Sequence, residues 1–69
     1  MWIVSVYTDG KLTRRYTAML RTVEDIFWHV QFNYGQLELE YNEPNKFHFS
    51  NEDCSFSVIY QNWKENNNA

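Results

Sequence analysis

Apolar and polar positions alternate toward both ends of this chain and switch to a helical period in the middle. Trp2, Val4 and Val6 alternate with Ile3, Ser5 and Tyr7, which predicts a strand from Trp2 to Tyr7. Thr8-Asp9-Gly10 is its turn, and Lys11 to Ala18 returns as a second strand. The spacing then lengthens. Val23, Ile26, Phe27, Val30 and Tyr34 fall on one arc at about 100° per residue, so a helix is expected from Val23 to Tyr34. Thr22 and Asp25 are placed to cap its start as a reciprocal pair, and Gly35 ends it.

Three short strands follow. Gln36 to Asn42 places Leu37, Leu39 and Tyr41 inward and Glu38 and Glu40 outward. Glu43-Pro44-Asn45-Lys46 supplies a turn with proline where its fixed φ is wanted. Phe47 and Phe49 face inward around an outward His48. After a turn at residues 50–53, Cys54, Phe56, Val58 and Tyr60 face in. For the first hairpin, a two-residue Asp9-Gly10 loop would set Val4 opposite Arg15 and mix the faces. A three-residue loop closing on a bulge, with Gly10 left-handed, pairs Val6 with Leu12 and Trp2 with Tyr16 and is the expected register.

The reading is a single α+β domain over residues 1–63, with a polar tail at 64–69 expected to fray. Its element order is ββαβββ, with one helix packed on a five-stranded, mostly antiparallel sheet. That order resembles the β-grasp arrangement, which implies a sheet order of 2-1-5-4-3 with the last strand parallel beside the first. The expected core is Trp2, Val4, Val6, Leu12, Tyr16, Ile26, Phe27, Val30, Leu37, Leu39, Phe47, Phe49, Phe56, Val58 and Tyr60.

Composition narrows the function. The net charge of −3 weighs against a general nucleic-acid or anionic-membrane binder. Cys54 is the one cysteine, so no internal disulfide is available and a reducing cytoplasm suits the chain; a small buried thiol is expected. There is no leader pattern and no apolar run near the roughly 20 residues that span a bilayer. Eight asparagines against two alanines fit an AT-biased coding source, as in Firmicute, phage or plasmid genes.

The helix carries a second apolar side. Trp28 and Phe32, one turn apart, point away from the core arc among Glu24, Asp25 and His29. A helix on a small sheet buries one stripe, so this pair is expected to be wet and to form a partner-binding surface of Trp28, Phe32, Asp25, His29 and Glu24. The sequence leaves open whether Trp63 folds back over it. An Asp25–His29 pair is available four residues apart, and His48 is expected near Glu38 or Glu40.

The leading expectation is a small protein-interaction module that binds through the aromatic helix face and an acidic surface of Glu38, Glu40, Glu43, Glu52 and Asp53. Its most specific form is a phage- or mobile-element-encoded inhibitor of a bacterial protein, with homodimerisation as a further route. The alternative is single-stranded nucleic-acid binding on the hairpin face by Tyr7, Lys11, Arg15 and Arg21. No nucleophile–base pair, phosphate-cradling glycine loop or metal-ligand spacing is evident, so no enzymatic activity, cofactor or metal is expected.

Overall fold

The computed structural model describes residues 1–62; Trp63 and the tail at 64–69 lie outside them. The elements are β1 (Trp2–Thr8), β2 (Lys11–Ala18), α1 (Val23–Tyr34), β3 (Glu38–Glu43), β4 (Lys46–Ser50) and β5 (Phe56–Asn62). They form one sheet in the order β2-β1-β5-β4-β3, with the helix on one face, so the α+β reading and the strand order hold. The parallel central pair does not: β5 runs antiparallel to β1, as does every other neighbouring pair. The cause is the length of the crossover. Twelve helical residues rise about 18 Å, comparable to a strand. The helix therefore returns the chain to the end of the sheet where β2 began, and β3 sets off in the direction of β2. Two hairpins later β5 also runs with β2, hence against β1.

Local chemistry explains the element ends. Thr22 Oγ1 accepts from the Asp25 amide at 3.2 Å, and the Asp25 carboxylate accepts from the Thr22 and Arg21 amides at 3.2 and 3.0 Å. This is the reciprocal cap read from the sequence. Gly35 has φ +86° and its amide donates to the Gln31 carbonyl at 3.1 Å. Pro44 and Asn45 form the tight turn between β3 and β4, with Glu43 paired to Lys46.

Each edge strand carries one extra residue. In the first hairpin Asp9 (φ 51°) and Gly10 (φ 81°) form a two-residue loop, whose positive φ values match strand twist. The bulge sits further in, at Thr13, so Tyr7 faces Leu12 but Val6 faces Arg14, Val4 faces Tyr16 and Trp2 faces Ala18. This replaces the three-residue loop and flips Leu12 to the outer face, where it is 47% exposed. Arg14, the misfit on the inner face, lays its guanidinium 4.6 Å from the Tyr16 ring centre. In β3 the extra residue is Glu40: Leu39 faces Phe49 but Tyr41 faces His48, so Tyr41 turns outward and hydrogen-bonds Glu43. That bond, foremost, raises the Tyr41 pKa.

The core is Trp2, Val4, Val6, Ile26, Val30, Phe47, Phe49, Val58 and Tyr60, with Tyr16, Ala18, Leu20, Tyr34, Leu37 and Phe56 packed against it. Phe27 and Leu39, expected inside, are exposed at their margins, and Val23 is exposed as well. Cys54 is also outside. It stands in the β4–β5 turn at φ 62° rather than in the strand. Asn51 closes that turn through its amide and side-chain oxygen to Phe56, and Asp53 accepts from Ser55, whose hydroxyl and amide hold the Asp53 pKa below its ordinary value. A left-handed non-glycine residue costs roughly 1–2 kcal/mol. Cys54→Gly is therefore expected to raise Tm by several degrees, read by thermal circular dichroism. An unchanged or lower Tm would show that the turn holds no such strain.

Candidate functional site

The helix sits rolled toward His29 relative to the arc expected from periodicity, and buried hydroxyls explain why. Tyr60 is fully enclosed, and a phenol in that position needs a hydrogen-bond partner. His29 Nδ1 provides it at 2.8 Å, with the two rings edge-on at 5.6 Å. One turn further along, the Tyr34 hydroxyl hydrogen-bonds that of Tyr16 on β2. These contacts hold the His29–Tyr34 flank of α1 down over β2 and β5. Burial is the first cause that raises the pKa values of Tyr16 and Tyr60 and lowers that of His29. The expected Asp25–His29 pair does not form, because Asp25 caps the helix and His29 turns inward.

A pH dependence follows. The His29 imidazole has a depressed pKa in the folded state, so the unfolded chain binds its proton more readily. The stabilisation is complete above the ordinary histidine value of about 6.5 and is lost as pH falls through and below it. Tyr16, Tyr34 and Tyr60 face the ring. The raised pKa values of Tyr16 and Tyr60 keep those phenols neutral throughout this range. The urea midpoint should therefore drop between pH 7 and pH 5, and His29→Gln should flatten that drop. A wild-type midpoint that is level across this range would contradict the burial of a neutral imidazole.

Rolling the helix this way leaves its other sides in water. Trp28 is 68% exposed and Phe32 86% exposed, and Met19, at the start of the β2–α1 connection, is 81% exposed. Trp28 forms a ridge between two depressions. On one side Met19, Leu20, Asp25, His29, Phe32 and Asn33 line a hollow with it of about 330 Å³. On the other, Glu24, Phe27 and Gln31 line a shallower one of about 230 Å³. Of the five residues expected at the partner surface, Trp28 and Phe32 stand fully outward. Asp25 and His29 contribute only the rim of the first hollow, and Glu24 lies across the ridge. Met19 escaped the sequence reading, since an isolated methionine between two elements has no periodicity to declare it.

The alternative site does not assemble on one face. Tyr7 and Arg15 share the outer face of the sheet, where Arg15 Nε donates to Ser5 Oγ at 3.1 Å. The bulge at Thr13 places Lys11 opposite Thr8 and so on the other side, and Arg21 lies in the β2–α1 connection. His48 is beside Ile59 and Tyr41 in the register, not beside Glu38 or Glu40. Among the described residues no group of three or more His, Cys, Asp or Glu side chains is gathered to hold a metal ion. No helix among them is long and apolar enough to cross a membrane. Comparison with protein-family models, with curated proteins and with solved structures finds no match to this chain.

Proposed function

We propose that this domain is a non-enzymatic protein-interaction module whose working surface is the outward side of α1. The observation that carries this reading is the exposure of Trp28 and Phe32, one turn apart on the same helix, with Met19 beside them. Two aromatic rings and a thioether left in water contribute almost nothing to folding. Covered by a partner they contribute about 25 cal/mol per Å² of apolar area removed from solvent, and such clustered apolar exposure marks interaction sites. Aromatic residues also dominate binding energy at interfaces.

The finer form of the proposal is an inhibitor of a bacterial host protein, carried by a phage or mobile element and acting in the cytoplasm. It is supported by the acidic charge of this sequence, its asparagine-rich composition and its single cysteine. The test is affinity capture from a bacterial lysate with the parent chain and with Trp28→Ala/Phe32→Ala side by side. A protein retained by the first and missing from the second supports the surface. Equal retention removes it. Light scattering across a dilution series separates this from self-association, which would show a mass falling with concentration and would use a two-fold contact.

A further inference from the structure

The tilt of α1 toward His29 has a counterpart on its other flank, where the sheet is left uncovered at β3. Phe27, Val30, Leu37, Leu39 and Phe49 form the apolar walls of a trough of about 340 Å³, with Gln31, Gln36 and Glu38 at its rim. At one end it continues through Phe27 and Gln31 to the hollow beside Trp28 and Glu24. At the other it shares Gln36 and Glu38 with a wider depression bounded by Asn51, Glu52 and Asp53. Glu38 and Glu24 therefore border the apolar trough and the hollow that continues it, and Glu52 and Asp53 extend the acidic margin of this channel into the polar depression beyond Glu38. Among the described residues no lysine or arginine lines any of the three.

We propose that this channel receives an amphipathic segment of the partner protein, apolar on one side and bearing Lys or Arg on the other. The proposal rests on the protein-interaction reading and adds the chemistry of what is bound. Apolar walls select apolar anchors, as in helix-in-groove recognition, while the carboxylates at the two ends select cations and repel acidic segments. A second copy of this chain does not fit that description. Its exposed helix brings Glu24 and Asp25 in the first turn and no basic residue in the last, which would set carboxylates against carboxylates. Strand addition at the same edge is also disfavoured, because the extra residue at Glu40 breaks the hydrogen-bonding row of β3.

Fluorescence anisotropy with defined peptides tests this directly. The probe is a labelled amphipathic Leu/Lys helix, compared with a Leu/Glu helix of the same pattern and with a Lys/Ser peptide of equal charge. The Leu/Lys helix should bind about tenfold or more tighter than either comparison, and more weakly as salt rises. Glu38→Lys/Glu52→Lys and, separately, Gln31→Arg should each weaken it about tenfold, since all three side chains are exposed and line the channel. Glu43→Lys, at the far end of β3 on the outer face, should change it less than about twofold. Equal binding of the Leu/Glu helix, equal binding of the Lys/Ser peptide, or an equal loss in Glu43→Lys would each overturn the proposal. The lysate experiment keeps the two readings apart. If Trp28→Ala/Phe32→Ala still abolishes capture while the channel variants bind the Leu/Lys helix like the parent, the channel is eliminated and the aromatic surface stands.

Discussion

Replacing Phe49 by alanine should leave this domain largely unfolded at room temperature. Phe49 is 2% exposed in the middle of the inner face. Its ring meets Phe27 edge-on at 5.6 Å and Tyr60 edge-on at 5.7 Å, so from β4 it ties the helix to β5 at the centre of the sheet. Truncating a buried phenylalanine costs about 3–5 kcal/mol through lost transfer energy and the cavity left behind. A core of this size rarely supplies more than about 3–5 kcal/mol of net stability. The loss therefore matches the whole margin. Circular dichroism and urea titration of the variant should show no cooperative transition, or one displaced to very low denaturant. A native-like transition with a small shift would mean that the neighbours collapse into the space, and that the core is held elsewhere.

The second large effect is on binding and leaves folding alone. Trp28→Ala/Phe32→Ala should abolish partner capture, since each aromatic anchor at the centre of an interface is worth about 2 kcal/mol or more. Two such losses multiply to a fall of roughly a thousandfold. Both rings are outside the core, so the urea midpoint should move by no more than about 0.5 kcal/mol of stability. The combination is diagnostic. A variant that lost capture together with its fold would say nothing about the surface, and one that kept both would dispose of it.

Much of the local architecture was legible from residue order. The limits of α1, its Thr22–Asp25 cap, the stop at Gly35 and the Pro44-Asn45 turn are each decided within a few neighbouring residues. The exposure of Trp28 and Phe32 was legible for the same reason, because a single helix cannot bury opposite sides. What was not legible depended on an extra residue or a distant partner. One residue inserted at Thr13 and one at Glu40 reverses the side on which Leu12 and Tyr41 stand, and alternation alone contains no sign of either. His29 turned inward because Tyr60, thirty-one positions away, needed a partner for its hydroxyl. The same rotation exposed Phe27 and opened the space against Leu39. The direction of β5 was likewise decided by how far α1 carries the chain.

The irregularities in β2 and β3 also bear on how the chain behaves when concentrated. These are the outermost strands, and an unbroken outer strand is a template on which further chains can stack into cross-β fibrils. Here each is kinked by its surplus residue and carries like charges, Lys11, Arg14 and Arg15 on one and Glu38, Glu40 and Glu43 on the other. The like charges oppose pairing of either margin with its own counterpart, and against pairing of β2 with β3, whose charges attract, the extra residues interrupt the hydrogen-bonding row on both strands. A protein that must keep aromatic rings in water can remain dispersed because its borders give neighbouring molecules nothing regular to join.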